Sequence, residues 1–214
     1  VIKTRRLLAA GFIAFLASSA PVTGQEAAHE QEAEEGGKQA DEQYEAESSV
    51  TQHSVRIDGT NVKYTATAGW LIMENDDGEP IARFGYTAYT RDGVDDLSRR
   101  PVMFAFNGGP GSSSTWLHMG ILGPRRVVVT DEGYAPPPPS ERVENEFSPL
   151  DATDLVMIDP VGTGFSKPIG EGKGEDFWGV DQDIRSVGAF IRKYVTENGR
   201  WGSPKYILGE SYDG

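Results

Sequence analysis

Tyr206-Ile-Leu-Gly-Glu-Ser-Tyr-Asp-Gly214 is the stretch whose reading decides the fold. A short apolar run, Tyr206-Ile-Leu208, leads directly into a serine with a glycine two places before it. A buried strand that turns sharply through a serine is the pattern of a nucleophile elbow: the turn is strained, close neighbours must be small, and the hydroxyl is held away from the sheet edge. A helix following the turn aims its N-terminal amides at the reacting atoms. Ser211 is therefore the candidate nucleophile.

Working back along the chain, two further apolar runs, Val102-Met-Phe-Ala-Phe106 and Leu155-Val-Met-Ile158, also lack polar alternation. All three read as strands covered on both faces. Between the second and third, Val180, Ile184, Val187, Phe190, Ile191, Tyr194 and Val195 recur at three- and four-residue steps, predicting an amphipathic helix that Asn198-Gly199 ends. Strand, helix, strand is the unit of a parallel sheet. Before these, Val55, Ile57, Val62, Tyr64 and Ala66 alternate as in half-buried strands, with a turn at Gly59. Ala68–Met73 and Ile81–Tyr89 flank the turn Asn75-Asp-Asp-Gly-Glu-Pro80 and predict a hairpin. The expected class is α/β, with a mostly parallel central sheet flanked by helices.

The first apolar run ends in Asn107-Gly-Gly-Pro-Gly-Ser-Ser-Ser114. A phosphate-binding loop of this kind needs Gly-Lys-Ser/Thr, and no lysine is present. Adjacent glycines instead let bare amides approach a substrate oxygen, which acyl transfer requires where its oxyanion forms. The glycine loop and the serine elbow thus fill complementary roles. Pro136–Pro139 reads as a rigid surface connector.

The charge of −13 divides unevenly over the 214 residues. Residues 1–24 carry Lys3, Arg5 and Arg6 with no acid, then an apolar run from Leu7 to Ala17, then small and polar residues: the order of a secretory signal peptide. Ser18-Ser19-Ala20 and Val22-Thr23-Gly24 are competing cleavage sites. Residues 25–50 hold nine acids against Lys38 alone and read as an acidic disordered linker, with His29 in a solvated tail. Residues 51–214 are the folded part. With zero cysteines there is no disulfide, thiolate metal site or lipid-anchored N-terminus, and no cofactor or metal is expected. The acidic balance argues against nucleic acid as a partner, and the apolar run is too short for stable membrane insertion. The expected location is exported, periplasmic or extracellular; Val1 in place of Met reads as an alternative start codon, which would favour a bacterial source, or as a chain clipped at its beginning.

Asn107-Gly-Gly-Pro-Gly-Ser-Ser-Ser, Asp159-Pro-Val-Gly-Thr-Gly-Phe-Ser166 and Gly209-Glu-Ser-Tyr together resemble three signature blocks of the serine carboxypeptidase family, in the family's order. The resemblance covers residues 51–214. It implies an α/β-hydrolase fold and release of C-terminal residues from peptides at acidic pH. Ser211 matches the nucleophile, and the amides of Gly109 and Tyr212 match the oxyanion hole. Asn107, the amide of Gly108 and Glu210 match the group that holds the substrate's terminal carboxylate. Glu210 can donate to a carboxylate only when protonated, which fits an acidic optimum. The Asp159–Ser166 block reads as structure. The sequence departs from the family's pattern at Ala105, Ser112, Ile121 and most of all Asp213, where a small residue is usual.

A serine hydrolase also needs a base and an acid to orient it, and in this fold Asp and then His follow the serine. The histidines, His29, His53 and His118, all precede Ser211, and His118 reads as a packed side chain. The expectation is an incomplete, N-terminal portion of a longer enzyme, inactive by itself. An esterase or lipase of the same fold, or a non-catalytic member of it, are the alternatives.

Overall fold

The computed structural model describes residues 44–109, 111–134 and 136–211. The signal-peptide reading, most of the acidic linker with His29, and Tyr212 and Asp213 lie outside the described residues. The elements in chain order are β1 (Glu47–Ile57), β2 (Thr60–Glu74), β3 (Pro80–Arg91), β4 (Val102–Asn107), β5 (Arg125–Val127), β6 (Arg142–Glu144), β7 (Asp154–Ile158), β8 (Lys167–Pro168), α1 (Val180–Glu197) and β9 (Lys205–Glu210).

β1 starts four residues inside the segment read as linker. Glu47 through Val50 pair with Trp70 through Thr67 of β2, and the Trp70 indole donates to the Glu45 carbonyl at 3.1 Å. Local composition there is polar, but an antiparallel partner supplies the backbone hydrogen bonds. Asp58 and Gly59, with φ of 45° and 75°, make the tight β1–β2 turn; successive positive φ values match the twist of paired strands. In the β2–β3 turn the Asn75 carboxamide oxygen accepts from the amides of Asp77 and Glu79 at 3.0 and 2.9 Å.

The sheet runs β1-β2-β3-β7-β4-β9, with β8 beside β3. It is mixed, not mostly parallel: among the described residues only β7-β4 and β4-β9 pair in parallel, whereas β1, β2, β3, β7 and β8 meet antiparallel. Strands joined by tight turns must run antiparallel, and only the longer crossovers after β4 and β7 permit parallel pairing.

β4 and β7 do bury both faces. Phe104, Val156 and Ile158 face a cluster with Phe84 and the α1 residues Val187, Phe190, Tyr194 and Val195. Ala105, Leu155 and Met157 face a second cluster with Val55, Val62, Tyr64, Leu117, Leu122 and Leu150. Helices do not flank both faces evenly. Among the described residues α1 is the one long helix; the other face is covered by single turns, Thr115–Leu117, His118–Leu122 and Pro149–Asp151. At the C-terminus of α1 the Asn198 side chain donates to the Tyr194 carbonyl at 2.9 Å, and Gly199 turns the chain at φ 63°.

Two burial expectations fail. Tyr206 and Ile207 are 55% and 66% exposed, because among the described residues β9 has a neighbour on one side alone, β4. Val180 and Ile184 are also exposed, so α1 packs through its later turns.

Under the start of the parallel strands lies a buried ion group that the sequence reading missed. Asp154 accepts from the Arg100 Nε at 3.1 Å, the Arg200 Nη1 at 2.5 Å and the Arg91 amide at 2.9 Å. Arg100 also donates to the Asp151 and Leu150 carbonyls, and Arg200 to the Arg100 carbonyl and Ser203 hydroxyl. Asp154, Arg100 and Arg200 are far apart in sequence, so no motif announces them.

Candidate active site

From β4 the chain passes to β7 on one side and then, through α1, to β9 on the other. A crevice forms at the carboxyl ends of strands where connections diverge in this way, and ligands of α/β sheets bind there. Asn107 ends β4 and Glu210 ends β9, directly opposite each other in the parallel ladder.

Asn107 is 2% exposed and both ends of its carboxamide are engaged. Its Nδ2 donates to Glu210 Oε2 at 3.0 Å, and its Oδ1 accepts from the Leu117 amide at 3.0 Å. The second bond fixes the orientation of the amide, because only the oxygen can accept from Leu117. The single helical turn after the glycine loop thereby aims the Asn107 NH2 at Glu210.

Ser211 follows Glu210 with φ 64°. A non-glycine residue in this left-handed region is uncommon and costs about 1–2 kcal/mol, so the strained turn expected of an elbow is present at the serine. Gly109 has φ 141°, and a Cβ there would come within 3.2 Å of the Ser112 amide and 3.1 Å of its hydroxyl. Among the described residues the Gly109 amide meets no acceptor. The Gly108 amide donates to the Glu210 carbonyl at 2.9 Å and so extends the β4–β9 ladder by one rung. The partner amide of the expected oxyanion hole, Tyr212, lies outside the described residues.

The Asp159–Ser166 block ties loops together. Asp159 accepts from the Ser114 amide at 2.9 Å and the Phe165 amide at 3.3 Å. Burial pushes its carboxyl above the ordinary value, against these two amide donors. Gly164, at φ 50°, leaves room for that carboxylate: a Cβ would lie 2.1 Å from Asp159 Oδ2. The Ser166 hydroxyl accepts from the Gly85 amide at 2.7 Å and donates to the Asp159 carbonyl at 2.5 Å. The Ser114 hydroxyl bonds the Ile158 carbonyl. The glycine loop after β4, the loop after β7 and strand β3 are thus locked to one another.

His118 is packed, with Nε2 2.6 Å from the Tyr89 hydroxyl. Burial depresses its pKa to about 4 and raises that of Tyr89 to about 12, so both are neutral near pH 7. His53 is exposed on β1 and bonds Thr51 at 2.8 Å. Among the described residues no cluster of His, Cys, Asp and Glu could hold a metal ion, and no helix is long and apolar enough to cross a membrane.

A mixed sheet with a strained serine at a strand end, beside a glycine loop, is the architecture of an α/β serine hydrolase. Residues 58–214 match the family model described as Serine carboxypeptidase, and the chain belongs to that family. Among solved structures it is similar to KEX1(DELTA)P, a prohormone-processing carboxypeptidase from Saccharomyces cerevisiae, with 24% identity and a TM-score of 0.51. That likeness covers 70% of this chain and 31% of the yeast chain, so this chain spans about a third of its length. Comparison with curated proteins finds no match.

Proposed function

We propose that this chain carries the nucleophile and substrate-anchoring part of an enzyme that releases C-terminal residues from peptides, with Ser211 forming the acyl-enzyme. The hydrogen bond from Asn107 to Glu210, adjacent to Ser211, carries this reading. An amide NH2 paired with a carboxyl group is a receptor for a second carboxyl group once Glu210 is protonated. An ester or an internal peptide bond offers no free carboxylate there, which disfavours the esterase alternative. Gly109 and Tyr212 are the proposed oxyanion donors.

The base and its orienting acid come, in this proposal, from polypeptide beyond Gly214. His118 is committed to Tyr89 and His53 to Thr51. The exposed Tyr206 and Ile207 on the open edge of β9 are what a further strand would cover. By itself the chain is inactive in this reading. The signal-like order of residues 1–24 supports export to a periplasmic or extracellular setting.

The test uses the enzyme extended through its complete reading frame. It should cleave an N-blocked dipeptide much faster than the corresponding C-terminal amide, and a fluorophosphonate probe should label it at Ser211. Equal rates on acid and amide would sink the carboxypeptidase reading in favour of a general acyl hydrolase. Absence of labelling would favour a non-catalytic member, to which Asp213 lends support.

A further inference from the structure

The Asn107 carboxamide has two ends of nearly equal size, and hydrogen bonding alone decides which end meets Glu210. The Leu117 amide makes that decision: it donates to Asn107 Oδ1 at 3.0 Å, which leaves Nδ2 for Glu210. Leu117 lies in the first of two consecutive turns, Thr115–Leu117 and His118–Leu122. Helical segments shorter than about 12 residues are marginal by themselves in water. The Leu117 amide is therefore placed by what fastens these turns to the sheet.

One fastening is at Ser114, whose amide donates to Asp159 at 2.9 Å and whose hydroxyl bonds the Ile158 carbonyl. The other is at His118, the residue after Leu117. Its Nε2 lies 2.6 Å from the Tyr89 hydroxyl. Tyr89 is a firm post. Its strand is paired on both sides, at Ala66 of β2 and Leu155 of β7, and its ring meets the buried Tyr64 edge-on, 5.7 Å between centroids. Gly123 crowds the same histidine: a Cβ there would collide with the His118 carbonyl oxygen and come 2.9 Å from the ring carbon Cδ2.

We propose that Tyr89 and His118 are positioning residues for the anchor: their hydrogen bond holds the Leu117 amide on Asn107 Oδ1 and so keeps the Asn107 NH2 turned toward Glu210. That the anchor serves a terminal carboxylate rests on the carboxypeptidase reading; the control of the carboxamide does not. A shift of the turn by about 0.5 Å takes the Leu117–Asn107 bond out of good range. The freed amide can then rotate and present Oδ1 to Glu210, where it repels a carboxylate and offers no donor to a second one. The competing fastening is the buried side chain of Leu117 itself.

The experiment compares Tyr89→Phe, His118→Gln and His118→Ala with the unmutated chain, by amide hydrogen exchange and by the NMR signals of the Asn107 NH2. Tyr89→Phe keeps the ring against Tyr64 and removes the hydroxyl. It should speed exchange at Leu117 about tenfold with little change at the β4 amides of Phe104 and Ala105, and the Asn107 NH2 signals should shift or double. His118→Gln still offers the Tyr89 hydroxyl a partner and should stay close to the unmutated chain, whereas His118→Ala should match Tyr89→Phe. Unchanged exchange at Leu117, or an increase no larger than that in β4, would overturn the proposal, because burial of Leu117 would then hold the turn. Equal losses in His118→Gln and His118→Ala would overturn it too, because ring packing and not the hydrogen bond would be responsible. In the extended enzyme Tyr89→Phe should raise KM for an N-blocked dipeptide about fivefold with little change in kcat. A response at Leu117 with KM unchanged would uphold the positioning and count against the carboxypeptidase reading.

Discussion

Asn107 and Glu210 end neighbouring parallel strands and face each other through a 3.0 Å hydrogen bond, while Asn107 simultaneously accepts from the Leu117 amide. Replacing Asn107 with Ala strips both. A buried amide left without its acceptor costs about 1–3 kcal/mol, so Asn107→Ala should lower the urea midpoint of unfolding. In the extended enzyme the same change should raise KM for peptide acids and leave the slow rate on peptide amides nearly unchanged. A parallel loss on both substrates would mean that Asn107 only supports the loop.

The second prediction concerns the buried Arg100–Asp154–Arg200 group. With all three side chains almost fully enclosed, Asp154→Asn leaves two guanidinium charges uncompensated. Breaking a buried pair from one side costs about 3–5 kcal/mol. The exposed Lys193–Glu197 pair at 3.6 Å is the internal control: Glu197→Gln should change stability by less than about 0.5 kcal/mol. Equilibrium denaturation of the two variants measures the contrast, and similar effects would contradict the enclosed geometry around Asp154.

These two groups also mark what could be read in advance. The hairpin β2–β3, the strands β4 and β7 and the helix α1 follow from local patterns: a turn at Asn75–Pro80, unbroken apolar runs, a three-to-four repeat. Ser211, Asn107, Gly109 and Glu210 stand in short motifs, so their grouping at one sheet end was legible too. Other features depend on partners far away in the chain. The openness of β9 is set by strand order, since Tyr206-Ile-Leu208 is as apolar as a central strand. The Gly108 amide is claimed by the Glu210 carbonyl, a rung that needs the β4–β9 register. Glu47–Val50 becomes strand only because Thr67–Trp70 lies opposite.

A third prediction follows from His118, whose pKa is depressed from 6.5 to about 4 by burial. Above pH 6.5 the ring is neutral in both folded and unfolded chains, and its contribution to stability is complete. As pH falls from 6.5 toward 4 the unfolded chain takes up a proton that the folded chain refuses, and stability declines by about 3 kcal/mol in all. Asp159 works in the opposite sense: its raised carboxyl binds a proton more readily when folded, so acidification through its range favours the folded state. His118→Phe removes the first effect. Its unfolding free energy should fall less between about pH 6.5 and pH 4 than that of the unmutated chain. An unchanged slope would show that another group governs the acid limb.

Gly164 supplies a fourth. A methyl group there meets Asp159 Oδ2 at 2.1 Å, with the backbone at φ 50°. Gly164→Ala must displace the carboxylate from the amides of Ser114 and Phe165, with a loss of about 2 kcal/mol or more. Gly133 has φ 83° and open space where a methyl group would point, so Gly133→Ala incurs the conformational cost alone. The difference between the two variants, read from thermal unfolding, isolates the collision with Asp159.

Ser211 itself provides the last test, through strain and not activity. At an ordinary helix or strand position, glycine is less stable than alanine by about 0.5–1 kcal/mol, because the unfolded glycine chain has more freedom to lose. At φ 64° the order reverses: any side chain carries a left-handed penalty of about 1–2 kcal/mol that glycine avoids. Ser211→Gly should therefore be more stable than Ser211→Ala, by up to about 1.5 kcal/mol once the two effects are combined. Both variants lack the hydroxyl, so the comparison holds side-chain chemistry constant and isolates the backbone. The reverse ranking in urea denaturation would place Ser211 in relaxed backbone and remove the elbow from the description of this site.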